Sequence, residues 1–378
     1  MKYWRKTLFL AVIISLLLPV VSACSDGSDI DSRLREITGD ERFSLVGFEV
    51  DAVVKQIAGI FSSDTVAADS ADIVKDYLAG DHQDEESREQ AEKVIEAQVR
   101  EAYHEFGIYN PLDDRIKIEL TFPPVNIYLG DPPRLLVVSP RDVITRYREV
   151  LLLPDISVED MEEIESRVEE LGYSACVVGL GGVATYPSYV TANADIRFIL
   201  DTAAEEWLHQ YLAFTPLGFN YVLDILKIKP DYEIARMNET VAGIVAKEIG
   251  AAVYERYYRE EPDAVATPEP PPATTFDFNA AMRETRRHVD ELLANGEIDR
   301  AEQYMEERRE YILDNGYYIR KLNQAYFAFH GTYAASGTSI DPIGDEFAEL
   351  RALSDSLSDF LHTAAGLTSE EELQQLLP

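Results

Sequence analysis

Cysteine is almost absent from this chain, with two in 378 residues. A disulfide framework is therefore excluded. Cys24 is read below as a lipid attachment point, which leaves Cys176 alone in the apolar run 175–178, where a buried free thiol is expected. Basic residues are scarce as well: 34 Lys and Arg stand against 69 Asp and Glu, a formal charge of −35. A surface of that sign repels nucleic acid and anionic headgroups, so nucleic acid is not expected as a partner. The acidity forms no long block. It is spread along helical segments in the manner of a solvated exterior and says little about a substrate. The apolar run near the N-terminus, Leu8–Val21, falls short of the roughly 20 residues that a membrane span needs.

What is present begins with an export pattern. Lys2, Arg5 and Lys6 precede the apolar run, and Val21-Ser22-Ala23-Cys24 follows it, the layout of a secretory signal with small residues before the cut. The Cys after Ser-Ala resembles a bacterial lipobox, in which cleavage precedes a Cys that carries lipid. Residues 1–23 are expected to be a signal peptide, Cys24 the lipidation site and 24–41 a lipid-attached tether. The protein is thus expected outside the cytoplasm, anchored to the outer face of a bacterial membrane as a lipoprotein. An uncleaved anchor and a plain signal peptide are the alternatives.

Beyond the tether, 42–259 is expected to hold N-terminal helices, a sheet and the chemistry. Apolar residues recur at helical spacing in Arg42–Ala58, Ser70–Leu78 and Glu89–Phe106. His82 and His104 read as ordinary histidines. From Arg115 the period shortens to two, predicting strands at Arg115–Phe122, Asn126–Leu129, Arg134–Val138 and Tyr173–Leu180. Ser139-Pro140 predicts a helix start, and Ser157–Leu171 an amphipathic helix closed by Gly172. Residues 260–275 are a proline-rich loop off the body. Residues 276–378 continue the same body with a helix pair about Asn295-Gly296 and final helices at Ile343–Leu361 and Ser369–Leu377.

The stretch that carries chemistry is Glu205-Glu206-Trp207-Leu208-His209. In the pattern H-E-x-x-H, two ligands four apart on a helix hold zinc and the Glu beside the first serves as general base. Here His209 fills the second ligand position, Glu206 the base position, and Glu205 stands where the first His is usual. A carboxylate also binds zinc. Glu205 and His209 rise about 6 Å along one helical face, and Glu206 is offset by about 100°. Thirty positions after His209, Glu239 shares a helical face with Ala242, Gly243, Ala246 and Gly250, small residues that let two helices approach closely. The other account is a close-packed helix pair with Glu239 bonded to His209 and no metal.

Glu205–His209 followed by Met237-Asn238-Glu239-Thr240-Val241-Ala242 resembles the gluzincin class of zinc metallopeptidases, which join H-E-x-x-H to a Glu ligand from a second helix, often as N-E-x-x-A. The resemblance covers Gly181 to about Tyr258. It implies Zn2+ held by Glu205, His209 and Glu239, with Glu206 as base and a peptide or protein as substrate. It maps Ala184–Val190, upstream of the metal helix, onto the class's substrate-aligning edge strand, with Ala184, Thr185 and Tyr186 as substrate-binding residues; Pro187, which lacks an N–H, fits an edge. A simple turn with packing tyrosines is the alternative. The class also uses a downstream Tyr or His to donate to the oxyanion, and Tyr326 and His330 are candidates, sharing a helical face with Asn323 and lying near Tyr333 and Gln324. A satisfied structural network is the other reading of these. The expected architecture is α+β: a small mixed sheet with a substrate edge strand, a predominantly helical zincin-like subdomain, and extra helices at both ends. A catalytically inactive pseudopeptidase that binds a peptide or protein partner is the alternative function.

Overall fold

The structure, a computed structural model, describes residues 29–43, 70–80, 84–111, 120–259 and 276–378. The expected signal peptide, Cys24, most of the helix at Arg42–Ala58, His82, most of the strand at Arg115–Phe122 and the proline-rich loop lie outside these residues. The first half contains α1 (Asp29–Thr38), α2 (Ala71–Leu78), α3 (Glu85–Glu105), β1 (Ile127–Gly130), β2 (Arg134–Pro140), β3 (Arg148–Leu152), α4 (Val158–Glu169), β4 (Tyr173–Gly179), β5 (Gly182–Val183) and β6 (Ser188–Thr191). A helical half follows: α5 (Ile196–Leu212), α6 (Pro216–Ile225), α7 (Tyr232–Tyr257), α8 (Phe278–Ala294), α9 (Ile298–Asp314), α10 (Gln324–His330), α11 (Pro342–Leu353), α12 (Leu357–Ala365) and α13 (Glu370–Gln374).

The architecture is α+β, with the strands divided between two small sheets. One is antiparallel in the order β3-β2-β4; in the other β6 lies between a parallel β1 and an antiparallel β5. The first sheet is covered on both faces, which is why β2 and β4 read as continuous apolar runs. Leu136, Val138, Ala175 and Val177 face a core with α1 and α4, while Leu135, Val137 and Val178 face one with α8, α9 and α10. A third and larger core joins α3, α5 and α7 with β1 and β6. Among the described residues no helix is long and apolar enough to cross a membrane.

Four expectations are corrected. Residues 29–38, expected in the tether, form α1, whose Ile30, Leu34 and Ile37 pack with Met161, Ile164 and Val168 of α4. Ser139-Pro140 starts no helix: β2 runs through it, and the Ser139 hydroxyl bonds Val143 O (3.0 Å) and the Thr145 N–H (3.2 Å), a local side-chain contact that competes with helix formation. The expected helix Ile343–Leu361 is broken between α11 and α12, where the Ser356 side chain caps α12. Ala184–Val190 is not an edge strand. Ala184, Thr185 and Tyr186 lie in the loop between β5 and β6, β6 is central, and the edges are β1 and β5.

The exposed side of β1 is closed by side chains. Glu92 and Glu96, one turn apart on α3, accept the backbone N–H groups of Leu129 (2.8 Å) and Ile127 (2.9 Å), so the edge presents no free donors to another strand at these positions.

Candidate metal centre

α5 is the axis of the site, fixed by its caps and by its apolar face. Asp195 accepts from Phe198 N at the start, and the Trp207 ring lies 4.2 Å from Tyr103 while its Nε1–H donates to Pro123 O (2.8 Å). The turn after α5 is tight. Thr215 caps α6 with Pro216 in the first turn, and a Cβ at Gly218 would stand 2.0 Å from Leu212 O. Glycine there lets α6 fold back so that Tyr221 lies against His209, ring centroids 5.9 Å apart. On the other side α7 meets α5 along the small-residue stripe. At Gly250 a Cβ would stand 1.9 Å from Asp201 Oδ1, whereas at Gly243 the nearest atom is Glu205 Oε1 at 3.9 Å.

Close approach of α5 and α7 brings Glu205, His209 and Glu239 together, with one potential ligand atom from each within 4.8 Å of the others. His209 Nε2 is 3.6 Å from Glu239 Oε2, and His209 Nδ1 is 2.8 Å from Asn238 Oδ1. With Asn238 Oδ1 as acceptor, the Nδ1–H donates and Nε2 faces Glu239, the orientation that metal-binding histidines obtain from a second partner. Tyr221 donates to Glu239 Oε1 at 2.5 Å. A tetrahedral zinc with ligand bonds near 2.0–2.1 Å sets ligand atoms roughly 3.3 Å apart, so the set closes on an ion by a contraction of at most about 1.5 Å. In residue type, tautomer and spacing, the three fit a divalent cation.

Glu206 points elsewhere, as its helical offset requires. It packs under β5, where a Cβ on Gly182 would stand 2.6 Å from Glu206 Oε1, and it has no hydrogen-bond partner among the described residues. Burial pushes Glu205 up to about 7 and Glu206 up to about 8, with His209 opposing in both. Burial works against charge on His209, but Glu239, Glu206 and Glu205 outweigh it and hold the imidazole up, at about 10. Burial likewise opposes charge on Glu239, yet His209, Tyr221 and Arg146 hold it down at about 2. The neighbouring charges thus favour a His209–Glu239 ion pair, while burial biases Glu205 and Glu206 toward their protonated forms.

Tyr326 and His330 are not brought to this centre. The Tyr326 ring lies tilted at 42° against His330 with centroids 4.2 Å apart, its hydroxyl raised by burial and then by Cys176; His330 is perturbed by burial alone. Tyr333 is the downstream tyrosine at the site, its hydroxyl raised by burial and then by Glu239, Glu205 and Glu206. Asn323 caps α10 and donates to Ala175 O, and Gln324 donates to Arg141 O, the structural-network reading of these two residues. Thr185 O accepts from Gln210 Nε2 at 2.6 Å, which ties the β5–β6 loop to α5. Cys176 is a buried free thiol, as expected.

Sequence reasoning missed Tyr221 and Arg146, gave Asn238 no role, and left open which of Asn323, Tyr326, His330 or Tyr333 faces the cleft. Thr215-Pro216 is a cap followed by a first-turn proline and signals α6, but nothing in the sequence says that α6 turns Tyr221 toward His209. No protein-family model, no curated protein and no solved structure matches the chain. The cluster of Glu205, His209 and Glu239 is accordingly what the structure itself supplies.

Proposed function

We propose that this chain is a membrane-tethered, extracytoplasmic protein of the zinc-metallopeptidase type, similar in plan to gluzincins, that acts on a peptide or protein. The observation that carries the reading is the convergence of Glu205, His209 and Glu239 from α5 and α7, with Asn238 fixing the imidazole. A zinc ion held by these residues supplies a Lewis acid and lowers the pKa of a water to about 7. Glu206 is the proton carrier: its carboxylate takes a proton from the attacking water and delivers it to the leaving amine. Its lack of any hydrogen-bond partner among the described residues and its place beside the β5 edge support that role. The closeness of Tyr333 to all three carboxylates supports it, rather than Tyr326 or His330, as donor to the developing oxyanion. Peptide alignment falls to β5, the edge strand over Glu206, in place of Ala184, Thr185 and Tyr186. Lipid on Cys24 supplies the tether.

A second reading has its own observation. His209 is hydrogen-bonded to Asn238 and Glu239 to Tyr221, and the two pairs meet as an ion pair at 3.6 Å, a self-contained arrangement that suits a pseudopeptidase that binds a partner. Metal analysis of protein purified without chelator, with two variants, separates the readings. Under the first, zinc is present near one per chain, and Glu206→Gln keeps it while turnover falls about 10²–10⁴-fold. Zinc-free protein into which Glu205→His recruits no metal refutes the metal reading and leaves partner binding.

A further inference from the structure

Tyr326 and His330 line a cavity bounded by α7, α8, α10 and residues 338–342, with a volume of about 220 Å³. That is below the roughly 300 Å³ at which drug-sized sites begin, so it has room for one end or one side chain of a peptide. Met282, Phe327 and Ile340 form its apolar wall. Its uncommitted polar atoms are mostly donors. Arg286 uses only Nε, on Asp290 at 2.9 and 3.0 Å, and neither Nη has an acceptor among the described residues. Arg236 Nε is buried with no partner, while its Nη groups hold Asp341 and Glu370. The Tyr326 hydroxyl and the His330 ring have no hydrogen-bond partner among the described residues, and burial pushes His330 down to about 4, so the neutral ring offers one donor. The acidic side chains nearby are already taken: Asp341 also accepts from Ile343 N, and Asp290 holds Arg286.

A pocket with unmatched donors and occupied acceptors is complementary to an oxygen anion. Its position links it to the metal centre. Tyr232, Arg236 and Glu239 share one face of α7, which places Arg236 about 4.5 Å and Tyr232 about 10.5 Å along the axis from Glu239. Tyr333 follows His330 by three residues and borders the centre. We infer that this cavity is a subsite for a carboxylate of the bound peptide, supplied by its C-terminus or by an Asp or Glu side chain. The inference rests on the peptide-binding reading above and names the ligand class that reading leaves open.

The test is calorimetric binding to the full chain made metal-free, so that it does not depend on zinc. Three acetylated pentapeptides serve as probes: all-Ala with a free C-terminus, its C-terminal amide, and the amide with one central Glu. At least one carboxylate-bearing peptide is expected to bind about tenfold more tightly than the neutral amide. Preference for the first assigns the terminus, and preference for the third the side chain. Arg286→Gln is expected to erase the preference and leave the amide unchanged. Tyr326→Phe, which removes a single oxygen, is expected to reduce it in part, and stands in if Arg286→Gln does not fold. Equal binding of all three, or an equal loss for all three in the variants, overturns the subsite. Zinc with turnover but no carboxylate preference sinks this inference alone, and a preference in protein that never holds zinc sinks only the enzymatic reading.

Discussion

Gly182→Ala is the substitution that tests the placement of the proposed base most directly. A Cβ built on Gly182 stands 2.6 Å from Glu206 Oε1, 2.7 Å from Glu206 Cγ and 2.7 Å from Thr202 Cγ2. Two of these atoms lie near the root of their side chains, so rotating a flexible tip does not relieve the contact. Either β5 lifts from α5 or Glu206 leaves its rotamer. Overpacking of this kind costs about 1–3 kcal/mol. Gly243→Ala is the control at the same centre: its Cβ meets only Glu205 Oε1 at 3.9 Å, and Gly to Ala inside a helix gains up to about 1 kcal/mol. Two changes of identical chemistry thus carry opposite signs. Denaturant titration reads them as a lowered and a raised midpoint at unchanged slope. In an active protein, Gly182→Ala also lowers peptide turnover while zinc content stays, because Glu206 moves and the ligands do not. A Gly182→Ala protein as stable as the parent refutes the close packing of β5 on Glu206, and a Gly243→Ala protein weaker by more than about 1 kcal/mol refutes the open space beside Glu205.

Three further outcomes follow from other contacts. Burial pushes Glu96 up from 4.5 to about 8 and Glu92 from 4.5 to about 7. The folded state therefore binds more protons than the unfolded one between those values, and stability falls as pH rises from about 4.5 through 8. Glu96→Gln, which keeps an acceptor for the Ile127 N–H, is expected to flatten that fall, and an unchanged pH profile of the unfolding midpoint contradicts it. Glu165, 1% exposed, binds the Val177 N–H, Arg320 and Lys321; Glu165→Ala leaves the Val177 N–H and Arg320 without their carboxylate, while Lys321 keeps Glu169 at 2.6 Å, and is expected to cost about 3–5 kcal/mol in equilibrium unfolding, with a loss under about 1 counting against it. Asn238→Ala frees the His209 ring and is expected to weaken zinc binding about 10–100-fold in competition with a chelating dye, whereas unchanged affinity removes Asn238 from the site.

How much of this was legible in the chain depended on whether a signal was local. Ser157 caps α4 by accepting from Asp160 N, Gly172 closes that helix at φ +88°, and Gly296 turns the α8–α9 pair at φ +73°, all as composition and spacing implied. Glu205, His209 and Glu239 were legible because two periodicities, four along α5 and the small-residue face of α7, each pointed inward. β3 was not, because Val150-Leu151-Leu152 is too short an apolar run to separate strand from helix once Ser139-Pro140 suggests a cap. The split of one expected sheet into two was equally hidden, since strand pairing is set by partners far away in sequence. Tyr326 and His330 were misplaced for a related reason. Helical periodicity correctly set them on one face of α10, but which cavity that face meets is decided by where α7 and α8 lie.

The site departs from its pattern at Glu205, and the surrounding groups bear on what that departure does. Two imidazoles and one carboxylate leave a divalent ion with net positive charge, whereas two carboxylates and one imidazole cancel it, and a neutral centre is the weaker Lewis acid. Glu239, however, does not offer an undiminished negative charge. Tyr221 donates to one of its oxygens at 2.5 Å, and the guanidinium of Arg146, held on Glu149 by bonds of 2.8 Å, helps keep it at low pKa. Both draw electron density from Glu239 and return part of the positive character that a second imidazole would have supplied. Glu205 has no such donor among the described residues and is pushed up to about 7 by burial. Under the metal reading it is the residue that would lose a proton on binding an ion, which would link metal occupancy to pH. The two carboxyls of this centre are therefore not equivalent: His209, Tyr221 and Arg146 hold Glu239 ionised, whereas burial biases Glu205 toward its protonated form.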